Sequence, residues 1–265
     1  MSTAILKILS LIFMTCDHLA SFMPSVFPLY FKYIGRMAGP IFLFCFAQSL
    51  KHTKDRKKLL IRIYIISVIT SIGNIILLLV LKNNDFIISN VFATFFVIGL
   101  IVYMFERPYK SIKNKVFALI ILGVLQEIFI AICIAPFVSN IENAVNVNWT
   151  SSMLLAVTGF LPNFTTCESG MLWVALGILF YVFKNDRKKQ CLVMAAYSLL
   201  LFVLFFVLGK FSISYMFTDG YEWMAVFSIP FMLAYNGKKG NISKYVFYIY
   251  YPVHIWILYL IGCML

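Results

Sequence analysis

Charged residues are scarce in this chain. They make up 12% of its 265 residues, and only 10 of them are Asp or Glu. About a quarter of an ordinary soluble domain is charged, so this sequence lacks the means to cover itself for water. Period-two alternation of apolar and polar residues is missing, which excludes a β-barrel. No Walker loop, HExxH helix, GxSxG elbow or zinc-type spacing occurs, and the chemistry of phosphate loops, zinc proteases and elbow serines goes with them. The six cysteines, Cys16, Cys45, Cys133, Cys167, Cys191 and Cys263, are scattered, mostly inside apolar segments and without a CxxC pair. They read as core residues, and no metal is expected. No small-x-small site follows the first apolar run, which is therefore expected to stay as a membrane helix. A soluble domain, a long linker and a sequence repeat are also absent, so residues 1–265 read as a single transmembrane domain.

What the chain has in excess is apolar surface: 62% of it is hydrophobic, and 27 residues are Phe. Apolar runs lie at 4–22, 33–50, 59–81, 86–105, 116–138, 170–183, 191–209, 221–235 and 245–263. A bilayer crossing takes about 20 apolar residues as a helix, whose backbone groups are all bonded internally. The expected fold is an all-α integral membrane protein, a polytopic bundle of about nine transmembrane helices. A further run at 153–161 is too short to span and stops at Pro162, so it is expected to be re-entrant or interfacial.

The net charge of +12 would suggest nucleic acid in a soluble protein. Here the basic residues sit in short clusters between apolar runs, at 51–62, 107–115, 184–189 and 238–244. That is a topology signal, and no nucleic acid partner is expected. The partner expected is membrane lipid. Retention of Lys and Arg on the cytoplasmic side places the N-terminus inside the cell, the C-terminus outside and the loop at 139–150 outside. The chain is thus read as a multi-pass protein of the cell membrane.

Ionisable groups within membrane helices are costly and mark function by default. Asp17 and His18 fall late in an outward-running helix, and Arg36 falls early in the inward-running one that follows. Asn90 and Glu168 come out at a similar depth. One reading makes Asp17 and Arg36 a structural ion pair with His18 as a satisfied neighbour. The functional reading makes His18 a general base oriented by Asp17 or a water, with Arg36 holding an anionic group or stabilising charge on an acyl oxygen. Asn90 fits a helix-helix hydrogen bond or a substrate contact, and Glu168 a site residue or a favourable charge at a helix start. His254 lies mid-helix beside Pro252, whose missing N–H loosens the helix and turns the histidine toward a cavity. His52 lies in the first basic loop, where a solvated or phosphate-binding role and no role at all are equally expected.

In order along the chain come Asp17-His18, Gly35-Arg36-Met37-Ala38-Gly39-Pro40-Ile41-Phe42, His52-Thr53-Lys54, Asn90-Val91-Phe92-Ala93-Thr94, and Tyr235-Asn236-Gly237-Lys238-Lys239-Gly240, the last followed by Tyr251-Pro252-Val253-His254. In these motifs and their order the sequence resembles the TraX family of bacterial membrane proteins over nearly its full length. The family's founding member is associated with N-terminal acetylation of pilin, and the family is similar to wider transmembrane acyltransferases that use cytoplasmic acyl-CoA.

The resemblance implies that Asp17, His18 and Arg36 are catalytic and that Asn90, Glu168 and His254 contact substrate. It implies no bound cofactor, with acetyl-CoA or another acyl-CoA as co-substrate and a peptide, glycan or lipid-linked acceptor. Lys51, His52, Lys54 and Arg56 are then candidates for the coenzyme's phosphates. Three departures stand out: Gln48 replaces a frequent acidic residue, 70–75 lacks the family's usual Ser-Glu-Ile-Pro-Phe-Asp run, and Glu168 stands where the family often has Asp. They bear on the acceptor, and pilin is not carried over. The alternatives to an acyltransferase are a transporter using the Asp, His and Arg residues as a relay, or a non-catalytic assembly factor.

Overall fold

A computed structural model describes residues 1–81, 90–106, 111–138, 160–162, 167 and 170–265. Among these residues every regular element is helical and no strand occurs. Four helices are long and apolar enough to cross a membrane: Thr3–Phe22, Arg56–Leu81, Arg187–Leu208 and Tyr245–Gly262. Shorter apolar helical stretches lie at Val91–Glu106, Gly170–Val182 and Tyr221–Leu233. The expected element at 153–161 and the loop at 139–150 fall outside the described residues, apart from Phe160 and Leu161.

The chain divides into two compact units. The first joins Met1–His52 to Leu176–Leu265, and the second is Thr53–Ala175. The first unit begins with α1 (Thr3–Phe22), α2 (Tyr30–Gly35) and α3 (Ala38–His52). The second holds α4 (Arg56–Leu81), α5 (Val91–Glu106) and α6 (Ile112–Val138). Helix α7 (Gly170–Val182) contains the point of division. The first unit resumes with α8 (Arg187–Leu208), α9 (Tyr215–Thr218), a 3₁₀ segment (Tyr221–Ser228), α10 (Ile229–Leu233) and α11 (Lys244–Gly262).

Two expected crossings are built differently from a single helix. The run at 33–50 breaks at Arg36 and Met37 into α2 and α3. Pro40 is the cause, since it has no N–H to offer the Arg36 carbonyl and its ring crowds that position, while in the first turn of α3 it is tolerated. The run at 221–235 is a 3₁₀ segment followed by the short α10. There Pro230 denies a donor to the Val226 carbonyl and stands in the first turn of α10, where it is tolerated, so the α-helix starts only at Ile229.

In the first unit α1 packs against α2, α3 and α11. Leu6, Ile41, Leu43, Phe44 and Phe180 are fully enclosed, and Phe44 meets Phe180 and Tyr235 edge to face at 6.3 and 5.4 Å. The first N–H groups of a helix have no intrahelical partner, and leaving them bare is costly at a membrane. Here the loop before α11 supplies the acceptors: Thr3 N–H donates to Lys238 O at 2.9 Å and Ala4 N–H to Lys239 O at 3.0 Å. Asn236 N–H donates in return to Met1 O at 2.8 Å. Gly237 and Gly240 take φ of 79° and 77°, which favour glycine. A Cβ on Gly240 would lie 2.6 Å from Ala4 Cβ. The Asn-Gly-Lys-Lys-Gly motif is thus a cap for α1.

Candidate active site

Helix α1 is apolar for most of its length, so its polar side chains must find partners within the protein. Ser10 and Thr15 donate back to Leu6 O and Leu11 O, at 3.0 and 2.8 Å, the usual escape for hydroxyls in a membrane helix. Asp17 and His18 have no such local solution and look to other elements.

Asp17 forms an ion pair with Arg36, which ends α2. Their contact depends on a close approach of α2 to α1 at Gly35. A Cβ there would sit 2.6 Å from Asp17 Oδ1 and collide with the rest of that side chain. The same guanidinium donates through Nη1 to Glu222 Oε1 at 2.6 Å, from the start of the 3₁₀ segment, and lies 5.6 Å from the centre of the Tyr221 ring. Arg36 Nε is buried and has no hydrogen-bond partner among the described residues. Two carboxylates on one guanidinium give the cluster a net charge of about −1, with a spare N–H donor on the guanidinium.

His18 and His254 are both buried, at 9% and 7% exposure. His18 Nδ1 lies 2.9 Å from His254 Nε2. The ring centres are 5.0 Å apart with 28° between planes, which suits an edge-to-edge hydrogen bond rather than a face-to-face stack. His254 Nδ1 lies 2.9 Å from Tyr250 O. His18 directly follows Asp17, the partner of Arg36, in α1, so the histidine pair and the ion cluster are joined through adjacent residues of one helix within the first unit. A histidine, a fixed cation and an uncommitted N–H donor are groups that acyl transfer can use.

The other sequence candidates fall elsewhere. Asn90, in the second unit, spends its amide on structure. Its Nδ2 donates to Ser67 O, Ser67 Oγ and Ser71 Oγ at 2.9, 3.1 and 2.9 Å. Its Oδ1 accepts from Ala93 N–H at 3.3 Å, an N-cap for α5 that also ties α5 to α4. Glu168 lies outside the described residues. Of the basic candidates, Lys51 donates to Lys184 O at 3.3 Å, Arg56 pairs with Glu106, and His52 and Lys54 are exposed. Lys51 and His52 belong to the first unit, Lys54 and Arg56 to the second.

Glu222 was not singled out in the sequence, although an acid at the edge of the apolar run 221–235 satisfies the same rule that flagged Asp17. Tyr250 carried no signal of its own, because what it gives His254 is a backbone carbonyl.

No curated protein and no solved structure matches the chain. The profile of one family, described as TraX protein, matches it in two overlapping stretches, residues 2–141 and 124–262. These stretches take in Asp17, His18, Arg36, Glu222 and His254 and leave only a few terminal residues unmatched, and on that extent the chain belongs to the TraX family of membrane proteins.

Proposed function

We infer that this chain is a membrane-embedded acyltransferase, moving acetyl from cytoplasmic acetyl-CoA to a hydroxyl or amine of an envelope, glycan, peptide or lipid-linked acceptor. The observation that carries the reading is that one unit holds both a histidine pair and a doubly clamped guanidinium, linked by the adjacent residues Asp17 and His18 of α1. His18 takes the acceptor's proton as the acceptor attacks the thioester carbonyl. Arg36 offers Nε–H to the oxygen on which negative charge develops, while Asp17 and Glu222 hold the guanidinium still, the preorganised donor arrangement that stabilises such a charge. The tetrahedral species then loses the coenzyme thiolate. The exposed basic residues at the end of α3, Lys51 and His52, meet the coenzyme's phosphates from the cytoplasmic side. The full topology in this reading is about nine crossings with the N-terminus inside, the shorter apolar helices included.

The test is to incubate the purified protein in detergent with labelled acetyl-CoA and cell envelope fractions. Transfer of label that falls by about 100-fold or more in His18→Ala supports a general base. Full transfer by His18→Ala removes His18 from the chemistry. A second reading, that the polar groups only hold helices together in an assembly factor, draws on the occupation of both Arg36 Nη groups by carboxylates. It predicts no label transfer by the wild type under any condition in which the protein is folded.

A further inference from the structure

The hydrogen-bond chain that ends on His18 has only one consistent direction when both rings are neutral. Tyr250 O is a carbonyl and can only accept, so the His254 nitrogen 2.9 Å from it, Nδ1, carries the proton. A neutral imidazole has one proton, which leaves His254 Nε2 as an acceptor. The His18 nitrogen facing it at 2.9 Å, Nδ1, must then be the donor. His18 is left with its lone pair on Nε2, for which no protein partner occurs among the described residues.

We propose that His254 is a positioning residue that locks His18 in the Nδ1–H tautomer, so that His18 Nε2 is the base of the acyl transfer; this rests on the acyltransferase reading given above. Which ring nitrogen of a histidine reacts is set by the bond that the other makes, and a free neutral imidazole prefers its proton on Nε2, which would leave no base there. His254 is itself held on three sides. The Tyr250 ring lies against it at 5.0 Å and 13°, and the Tyr251 ring meets it edge-on at 5.9 Å. Thr15 spends its only proton on Leu11 O, so the Tyr250 hydroxyl 2.8 Å away donates to Thr15 Oγ1 and pins that ring to α1. The chain of bonds stops at a carbonyl and is no proton wire. The proton taken from the acceptor hydroxyl or amine therefore stays on His18 Nε2, with the positive charge shared toward His254. The bond from acceptor to acyl carbon forms, the carbon–sulfur bond breaks, and the same proton leaves with the coenzyme as its thiol.

The chain has only three histidines, so ¹⁵N-histidine labelling of the full-length protein in detergent resolves all of them, with His52 assigned by its absence from the His52→Asn spectrum. Wild-type protein is expected to show His18 and His254 both protonated on Nδ1 and bare on Nε2. In His254→Ala the His18 proton should move toward Nε2, and kcat should fall about 10- to 100-fold with KM for acetyl-CoA held within about twofold, as expected when a base is misplaced and not removed. In His254→Gln the side-chain oxygen can stand where Nε2 stood, so the Nδ1–H tautomer and most of the activity should return. A wild-type His18 protonated on Nε2 overturns the proposal. So does a His254→Ala protein whose His18 tautomer and kcat are both unchanged. If His254→Ala does not fold, the wild-type spectrum and the His254→Gln rescue still decide it. Expected tautomers without any label transfer by the wild type would keep the lock and remove the acyltransferase reading.

Discussion

Arg36 is shared by two acids, and this makes the consequences of losing each partner unequal. Replacing Asp17 by Asn leaves a balanced Arg36–Glu222 pair, and replacing Glu222 by Gln leaves a balanced Arg36–Asp17 pair. Replacing Arg36 by Met leaves two carboxylates facing each other without a cation. Breaking a buried ion pair costs about 3–5 kcal/mol, and partial exposure puts this cluster at or below the lower end. Thermal unfolding in detergent should therefore rank Arg36→Met as clearly less stable than Asp17→Asn, and Met in place of Arg no worse than Asn in place of Asp would contradict the shared clamp. The partnership of Asp17 and Arg36 was legible because both are charges in adjacent apolar runs at one depth. Glu222 and His254 were not tied to it, because contacts across 186 and 236 residues depend on how distant helices pack. That packing is not encoded in local pattern.

At the level of elements, the narrowest tolerance is the crossing of α2 over α1. Gly35→Ala puts a methyl into the Asp17 side chain, and overpacking of this kind typically costs about 1–3 kcal/mol. Because the collision falls on the ion cluster, label transfer should drop with stability, and Gly35→Ala with wild-type activity would show that the approach is not needed. Helix α8 begins at an N-cap of a different kind. The Lys189 backbone N–H donates to Asp186 at 3.1 Å, which holds the exposed Asp186 carboxyl below its usual range. A depressed folded pKa contributes stability above the unfolded value, near pH 3.9, and loses it as pH falls through the folded value. Melting curves from about pH 6 to 3 should show this loss in the wild type and a smaller loss in Asp186→Asn, because Asn caps equally well without titrating. The element boundaries were partly readable: α1, α8 and α11 follow their apolar runs closely. The break before α3 and the 3₁₀ segment were missed because hydropathy does not register a missing N–H. Pro40 and Pro230 were in plain view, but their effect falls on a carbonyl four residues earlier.

For the whole molecule, the basic clusters predict which loops face the cytoplasm, and one native residue offers an internal control. Cys263 is exposed at the end of α11 and is expected outside. In intact cells an impermeant maleimide should modify Cys263 and spare a cysteine introduced at Lys57. The reverse pattern would invert the topology and place the first basic loop where no coenzyme A is available. The division of the chain adds something that charge patterns cannot. The first unit is assembled from both ends of the sequence, with Thr53–Ala175 synthesised in between. A ribosome delivering this protein to the membrane releases α1, α2 and α3 early, and Asp17 can be neutralised at once by Arg36, only 19 residues later. Glu222, the loop that caps α1 and His254 arrive last. During most of synthesis His18 lacks the partner that faces its Nδ1 in the finished protein, so on the acyltransferase reading its tautomer is not yet fixed and the nascent chain cannot react. On the same reading, activity is timed to the insertion of α11, which acts as a completion check: a chain cut short before α11 would occupy the membrane without consuming the donor.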